Sequence, residues 1–504
     1  MKILITANIM LEKWQFFLQR FFLYFGFLLI PLWMNRVVET TPLFQLGVLL
    51  SYIVFLFAQF YLLAKEVDHR LKISVRAQSS TERILYRLVI GQSFFLLYFF
   101  LLNYIPQGIY HHFFWATWAI MGVFYSWPTR GKIIQEGIAS DLHEFRFLDG
   151  FEKTILVLLV STCILSIPSV PRFESLETLR LFLDSKERMS DFYFNFIGHV
   201  LFPFNKFSSL YFYGWSVYLY LISTTLFLLA SYCLFRFFFS RRLSLLGLYA
   251  LVSSWAFSKN LQINFFLLLL GAFAVLYIWS LYWASRAGNY RSGLIVGSVL
   301  LWGVWLDHSL FLLWPVSVLY FWFWGLRHTH LWYKQHFFKY TLFSFFMSLL
   351  VLLDHGVGIK LTNRDDWESL GHALKFVFEQ KSFLYISIVG LVLLLLAKIY
   401  PWLDRQAKFI NQEKKFSDLI IIAFILILVG LVFSQELIGS YLFLMILGFF
   451  SLIPLEILFR HLQSLRSQRN LIYLIYILIC LVDSHLEGRV KILVAGLSQL
   501  TVVP

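Results

Sequence analysis

Charged residues are scarce in this chain: they make up 14% of its 504 residues, whereas an ordinary soluble domain has about 25%. Hydrophobic residues account for 59% and aromatic residues for 20%, far more than a disordered chain contains. Cysteine is nearly absent. The three cysteines all lie in apolar runs, and their odd number disfavours a disulfide framework. The composition therefore excludes soluble and disordered proteins and predicts a protein that folds in lipid.

Acidic residues are outnumbered: 28 Asp and Glu face 42 Lys and Arg, which gives a formal net charge of +14. A basic surplus of this kind is typical of nucleic-acid-binding proteins, but a membrane protein acquires one because Lys and Arg are retained on the cytoplasmic side. Since the composition already indicates a membrane protein, we expect no nucleic-acid partner.

Long apolar stretches recur along the chain, and we count about fifteen by hydropathy. The first five are 15–33, 44–63, 88–102, 113–125 and 154–168, and the others begin near residues 211, 243, 263, 294, 310, 337, 384, 419, 441 and 471. A transmembrane helix needs about 20 residues, or fewer where the bilayer thins. The pattern predicts an all-α polytopic membrane protein with about 13 to 15 transmembrane helices.

The basic residues favour one orientation of these spans. With the N-terminus in the cytoplasm, most Lys and Arg fall on the inner side, in the stretches 65–87, 130–153, 236–242, 286–291, 327–339, 398–415 and 460–469. Residues 1–10 form too short an apolar run for a removable signal peptide. The outer loops hold no glycosylation sequon, which is compatible with a bacterium. We expect a multi-pass protein of the bacterial plasma (inner) membrane.

Two predicted outer loops carry most of the charge on that side. The first, residues 170–210, is called the acidic loop below, and the second is residues 354–382. The other outer connections are only a few residues long, such as Ser258-Lys259-Asn260 and Asp307-His308. A functional site is therefore expected where the two long loops meet the membrane surface.

Within the acidic loop, Ser190 and Asp191 form a plausible helix N-cap before the aromatic segment 192–202, which is suited to the membrane interface. A carboxylate there could take a proton from an acceptor hydroxyl while a lipid-borne donor approaches from the bilayer. The alternative is that the loop acids are solvated charges paired with Lys186 and Arg188. On spacing alone the alternative is favoured. The acids concerned are Asp184, Glu187 and Asp191.

The order of motifs from about residue 149 to residue 339 resembles the GT-C fold glycosyltransferases, in the branch of the protein mannosyltransferases and aminoarabinose transferases. The resemblance rests on one span before an acidic outer loop, on Leu210-Tyr211-Phe212-Tyr213-Gly214-Trp215 opening a long span, and on three turns. The turns are Arg236 to Arg242 inside, Ser253 to Asn260 outside and Leu306-Asp307-His308-Ser309 outside. The family's Asp-Glu pair is absent, and Ser208-Ser209 replaces its proline pair.

The resemblance implies a function. Such enzymes transfer a sugar from a polyprenyl-phosphate donor to an acceptor on the outer face, usually with inversion. It implies Asp191 as the catalytic base, with Asp184 and Glu187 in reserve. The departing phosphate needs cations. We assign this role first to Lys360 and Arg364, and less strongly to His355, Lys259 and His308. The partners expected are the donor, membrane lipids and an acceptor lipid, glycan or protein of the cell envelope.

The first 150 residues precede the GT-C-like part and form a predicted four-helix membrane region. The segment 65–70 at the end of a span, with 125–132 later, faintly resembles half of a UbiA-type prenyltransferase. Those enzymes hold Mg²⁺ and a diphosphate with two Asp-rich motifs, and the single Asp68 does not suffice. We therefore predict two domains: residues 1–150, a degenerate UbiA-like module, and residues 151–504, the GT-C-like core.

Two other functions remain open on the sequence. A non-catalytic membrane scaffold would explain the missing acidic pair. A lipid transporter or flippase should carry ionisable residues in its span centres, which hold almost none here. No cofactor is called for. A divalent cation is an open alternative, although the histidines lack the i, i+4 spacing of a zinc helix.

Overall fold

The computed structural model describes residues 79–102, 147–167, 208–287, 290–306, 381–399, 438–461 and 468–483, together with single positions elsewhere that include Tyr61, Lys65 and Asp68. Over these ranges the chain forms nine α-helices and no β-strand. The described part of the protein is therefore all-α, as the composition predicts.

The helices follow the predicted apolar stretches. In chain order they are α1 (Ser80–Leu102), α2 (Gly150–Leu165), α3 (Ser208–Phe238), α4 (Arg241–Ser253), α5 (Trp255–Ala287), α6 (Tyr290–Leu306), α7 (Lys381–Ile399), α8 (Ile438–His461) and α9 (Arg469–Asp483). Each of them overlaps one of the stretches found by hydropathy. The remaining stretches lie outside the ranges that the structure describes.

One predicted connection is wrong in position. Ser258, Lys259 and Asn260 were expected to form a short outer turn, but they lie inside α5, and the break between α4 and α5 is at Ser254. Ser254 has extended backbone angles, and its Oγ accepts a hydrogen bond of 3.1 Å from the N–H of Phe257. This is the geometry of an N-cap. Hydropathy marks only where a helix is apolar, so the polar residues in the second turn of α5 were taken for a connection.

One described segment, Tyr220–Phe238 in α3, is long and apolar enough to cross a membrane, by length and composition. Its 19 residues fall within the predicted span that begins near residue 211. Shorter apolar stretches of helix occur at Leu268–Ala284, Ile295–Val304, Leu384–Leu393, Leu444–Glu456 and Arg469–Val482. The total of about 13 to 15 spans stays a prediction.

Helix α8 packs against α4, α5 and α7, and its contact with α7 is the most extensive. At this contact a methyl group on Gly390 of α7 would overlap the Phe450 carbonyl oxygen of α8, with Pro454 Cδ only 3.2 Å away. Pro454 has no N–H, so it leaves the Phe450 carbonyl without its helical partner. Nearby, the Ser387 hydroxyl donates a hydrogen bond of 2.9 Å to the Leu447 carbonyl. The two backbones approach because position 390 has no side chain.

Aromatic side chains fill the space between α3, α5 and α8. Phe449 of α8 meets Phe235 of α3 edge to face, with 4.6 Å between ring centroids. Phe237 of α3 meets Tyr282 of α5 in the same way at 4.7 Å. Edge-to-face pairs at these distances add to the free energy gained by burying the rings. The core of this region is thus built from residues of three helices that are far apart in sequence.

Three helices carry large apolar side chains on an exposed face. On α2, α7 and α9 these are Val157, Val160, Ile164, Leu165, Tyr385, Ile388, Val389, Leu391, Val392, Leu471, Leu474, Ile475, Leu478 and Val482. Two polar groups on the same helices are turned inward: Ser387 is buried on α7, and the buried Tyr476 hydroxyl on α9 lies 2.8 Å from the Ser451 hydroxyl on α8. A protein surrounded by water has the opposite distribution in its amphipathic helices.

The chain divides into two compact units. The first comprises Met1–Phe147 and Arg172–Tyr218, and the second comprises Leu148–Pro171 and Leu219–Val502. Helix α1 belongs to the first, and α2 and α4 to α9 belong to the second. The chain thus leaves the second unit after Pro171 and returns to it at Leu219. The assignment of residues 1–150 and 151–504 to two functions stays a prediction.

Candidate functional site

Most of the predicted site lies outside the residues that the structure describes. This holds for the three candidate bases and four of the candidate phosphate ligands, namely Asp184, Glu187, Asp191, His308, His355, Lys360 and Arg364. For Lys259 the structure describes only its place in α5. The roles of these residues therefore stay predictions. In the described part of the chain, no three His, Cys, Asp or Glu residues are grouped to hold a metal ion.

The described helices nonetheless define the segments that flank the acidic loop. Helix α2 precedes this loop and α3 follows it. Asp149 and Glu152 form a reciprocal cap at the start of α2: the Glu152 N–H donates to Asp149 Oδ1 at 2.7 Å, and the Asp149 N–H donates to Glu152 Oε2 at 3.1 Å. Two backbone donors that the first turn leaves unpaired are thereby satisfied. The first residue of α2 is set by this cap.

Two arginines at the start of α4 hold the same two acids. Arg241 binds Glu152 through two contacts, Nε to Oε1 at 2.8 Å and Nη2 to Oε2 at 2.6 Å. Arg242 binds the Asp149 carboxylate through Nη2. The Glu152 side chain is only 3% exposed, whereas those of Arg241 and Asp149 are 31% and 34% exposed. A two-contact arginine pair fixes direction as well as distance, so α2 and α4 are joined at this end.

The charges in this cluster stabilise one another. Partial burial by itself raises the pKa of Asp149. The hydrogen bond from the Glu152 N–H and the nearby guanidinium of Arg242 lower this pKa, and together they outweigh burial. The pKa of Asp149 therefore lies below its usual value. The hydrogen bond to Glu152 raises the pKa of Arg241, against a smaller opposing effect of burial. Asp149 and Arg241 are therefore both charged near neutral pH.

Helix α9 joins the same cluster. The ring of Tyr473, one turn into α9, stacks on Phe151 of α2 with 5.2 Å between centroids. The starts of α2, α4 and α9 thus lie together. The sequence predicts that all three stretches lie on the inner side of the membrane, as part of 130–153, 236–242 and 460–469, and their proximity is compatible with that topology. Which side of a membrane they face stays a prediction.

The other end of α2 is attached to α3. The Tyr220 hydroxyl donates a hydrogen bond of 2.8 Å to the Cys163 carbonyl, and the Tyr220 side chain is fully buried. The same carbonyl accepts the Ser166 N–H at 3.2 Å, and the Ser166 hydroxyl donates to the Thr162 carbonyl at 2.8 Å. The carbonyls in the last turn of a helix have no partner within the helix. Tyr220 supplies one from the helix that follows the acidic loop.

The first unit contains a buried ion pair in the segment that resembles a prenyltransferase motif. Arg87 Nε lies 3.0 Å from Asp68 Oδ2, and its Nη1 donates to the Tyr61 hydroxyl at 3.0 Å. The Asp68 side chain is 2% exposed and the Arg87 side chain 10%. The Asp68 carboxylate thus has a guanidinium as its partner. The interpretation of the segment as a degenerate module stays a prediction.

Sequence reasoning did not single out Glu152 or Tyr220, and it used Arg241 only as part of an inner turn. A signal existed for one of them: Asp149-Gly-Phe-Glu152 before an apolar run is a capping-box pattern of the kind that marks a helix start. No local pattern pairs Glu152 with Arg241, or Tyr220 with Cys163, because 89 and 57 residues separate them. Those pairings come only from the packing of helices.

Comparison with known proteins identifies no relative. This chain matches no protein family, no curated protein and no solved structure. The resemblance to the GT-C glycosyltransferases therefore remains one of motif order, read from the sequence.

The cap at the start of α2 gives a pH-dependent prediction. Because the pKa of Asp149 is lowered on folding, its pairing with Arg242 stabilises the fold above the ordinary value of 3.8 and is lost as the pH falls through the lowered value. Asp149→Asn keeps the cap but removes the charge. We expect it to cost about 1 kcal/mol or less at neutral pH, since the carboxylate is partly exposed.

Denaturant unfolding of both proteins between about pH 6 and pH 2 measures this difference. The two free energies of unfolding should converge at the acid end. A difference that stayed constant over the whole range would mean that the charge of Asp149 contributes nothing.

Proposed function

We propose that this protein is an integral membrane glycosyltransferase that moves a sugar from a polyprenyl-phosphate donor to an acceptor on the outer face of the membrane. The observation that carries the proposal is the helix series α2 to α6, which follows the order of the GT-C motifs. In this series the inner Arg241-Arg242 turn is bound to the start of the helix that precedes the acidic loop.

Membrane embedding has separate support. Tyr220–Phe238 is long and apolar enough to cross a bilayer. The exposed faces of α2, α7 and α9 carry many Val, Ile and Leu side chains, while the hydroxyls of Ser387 on α7 and Tyr476 on α9 bond inside the protein. Lipid chains favour that distribution, because they solvate apolar side chains and offer hydroxyl groups no hydrogen bond. With the recurring apolar stretches of the sequence, this favours a polytopic protein.

The proposed reaction assigns one role to each loop. The Asp191 carboxylate, with Asp184 and Glu187 as alternatives, removes the proton from the acceptor hydroxyl. At the same time the oxygen of that hydroxyl attacks the anomeric carbon of the donor sugar. The bond between that carbon and the phosphate oxygen breaks, and the polyprenyl phosphate leaves with the electron pair. Lys360 and Arg364 then stabilise the phosphate charge. His355, Lys259 and His308 are weaker candidates for the same role.

Transfer of radiolabel from polyprenyl-phosphate sugars tests the proposal, with the purified full-length protein in lipid vesicles. We expect Asp191→Asn to lower the transfer rate about a hundredfold or more, the usual contribution of a general base. Glu177→Gln, which changes another acid of the same loop, should leave the rate unchanged. Lys360→Gln with Arg364→Gln should also lower it.

The outcomes separate the alternatives. If Asp184→Asn or Glu187→Gln abolishes transfer while Asp191→Asn does not, the base is another acid of the loop. Full activity in all three variants would remove the acidic loop from the chemistry. If the wild-type protein transfers no sugar from any donor tested, the enzyme proposal fails and a scaffold or transporter is favoured.

A further inference from the structure

Three helices of the second unit are shorter than an ordinary bilayer is thick. Helices α2, α4 and α9 have 16, 13 and 15 residues. At about 1.5 Å per residue they are about 20 to 24 Å long, whereas the hydrocarbon core of a bilayer is about 30 Å thick. The segment Tyr220–Phe238 of α3, with 19 residues, is long enough to cross it. Shortness is thus a property of particular helices in this unit.

These three short helices are neighbours, and their starts lie together. Both α2 and α9 pack against α4. Arg241 and Arg242 bind the start of α4 to the start of α2. At the same end, the ring of Phe151 in α2 stacks on that of Tyr473 in α9. Because all three helices begin in this charged cluster, their apolar parts extend from one common polar boundary.

Helix α9 shows the second boundary most clearly. It begins with Arg469 and Asn470 and ends at Asp483, and the sequence continues with Glu487 and Arg489. The stretch between these polar ends is residues 471–482, which is about 18 Å long. Its exposed side chains follow the spacing of one helical face, and they are Leu471, Leu474, Ile475, Leu478 and Val482. Since charged residues avoid hydrocarbon, α9 offers only this length to lipid chains.

Helix α2 has a similar apolar length. Its first turn ends with the exposed Lys153, and the helix ends at Leu165, where Ser166 caps it. Residues 154–165 between them are again about 18 Å long. The exposed side chains of this stretch include Val157, Val160 and Ile164. Lipid does not favour backbone that has left a helix, so the apolar faces of α2 and α9 indicate the same thickness.

We propose that the bilayer is thinned where it meets α2 and α9, so that a hydrocarbon layer of about 18 Å replaces the ordinary 30 Å at this face. A bilayer adapts in this way to a helix that is shorter than its hydrocarbon core. Helix α4 supports the face from behind, because its residues 243–253 are all buried. The inference rests on the membrane embedding in the proposed function, and it does not depend on sugar transfer.

The depth of spin labels along α9 tests the proposal. Leu471→Cys, Ile475→Cys and Val482→Cys each place one label on the exposed face of the full-length protein. Cys163, which is partly exposed, is replaced by Ser, and the two buried native cysteines are kept. The protein is reconstituted in vesicles of dioleoyl phosphatidylcholine. Collisions with oxygen, which enters hydrocarbon, and with a water-soluble nickel complex give each depth, and lipids labelled at known carbons calibrate it.

We expect both end labels, at 471 and 482, to lie within about 4 Å of the headgroup level and the middle label, at 475, to lie about 6 Å deeper. In a bilayer that is not thinned, at least one end label lies about 6 Å or more inside the hydrocarbon, and that result would overturn the proposal.

Other depth patterns would also overturn it. Equal depths of all three labels would mean that α9 lies flat at the membrane surface. Few collisions with either reagent would mean that another protein surface, such as a second copy of the chain, covers the face. If all three labels collide freely with the nickel complex, the face is in water, and the membrane embedding fails together with the thinning.

A pair of charged variants on the same face gives an independent test. Val482→Asp places a carboxylate at the proposed boundary, and Ile475→Asp places one inside the hydrocarbon layer. We expect Ile475→Asp to lower the thermal midpoint in vesicles by about 5 °C or more and Val482→Asp to lower it by less than about 2 °C. A similar loss in both variants would overturn the proposal, because position 482 would then lie in hydrocarbon. If neither variant changes the midpoint, α9 does not meet lipid chains, and the proposal is again overturned.

Discussion

Gly390→Leu is expected to lower the free energy of unfolding by about 4 kcal/mol or more, and to prevent folding if the protein is marginally stable. Even a methyl group at this position would overlap the Phe450 carbonyl oxygen, and backbone cannot move aside as a side-chain tip can. The clash would separate α7 from α8, the helix at the centre of the packing. The thermal midpoint and the yield of monodisperse protein in detergent measure the effect.

The matched control is Gly150→Ala at the first residue of α2. A Cβ there meets nothing within 4 Å, so this variant should fold normally or gain slight stability. Gly390→Ala should lie between the control and the leucine variant. If Gly390→Leu leaves the thermal midpoint unchanged, α7 and α8 do not approach each other as closely as described.

Glu152→Gln is expected to lower the free energy of unfolding by about 2 kcal/mol. It removes the negative charge and one of the two oxygens that Arg241 contacts, and it leaves that cation beside a buried amide. The loss is smaller than for a fully buried pair because the Arg241 side chain is 31% exposed and regains water. Denaturant unfolding in detergent measures the change.

Arg236→Gln is the control for Glu152→Gln, because it also removes one charge near the start of α4 but breaks no ion pair with a carboxylate. Arg236 lies in the last turn of α3, and its Nη1 donates to the Phe239 carbonyl at 3.1 Å, so it contributes a similar charge without the carboxylate pair. Its loss should cost less than about 1 kcal/mol. In a double-mutant cycle, Glu152→Gln and Arg241→Gln should be strongly coupled. Additive losses would mean that the pair stabilises nothing.

The positions of the helices could be predicted from the sequence, but some of their ends could not. Apolar runs placed α3 near residue 211 and α8 near residue 441, and both helices are there. Hydropathy failed at the start of α5, where polar residues follow the first apolar turn, because the signal that starts this helix is the hydrogen bond of Ser254. A cap is a property of one side chain, and averaging over a window hides it.

The candidate site was predictable only as a set of residue types. Acids followed by an aromatic segment indicate a base at the membrane surface, and the choice among Asp184, Glu187 and Asp191 stays a prediction. The residues that attach the flanking helices could not be named in advance. Tyr220 is one of many tyrosines in an aromatic-rich chain, and nothing nearby in the sequence distinguishes it.

Composition and local sequence pattern determine the features that depend on short-range interactions. These are the all-α class of the described helices, the apolar stretches from which they form, and the cap of Asp149 and Glu152. These depend on backbone hydrogen bonds and on neighbours within a few residues. The contact of Gly390 with Phe450, the pair of Arg241 with Glu152 and the bond of Tyr220 to Cys163 depend on how separate helices pack. They join residues that are distant in the chain, so only the folded arrangement could select each partner.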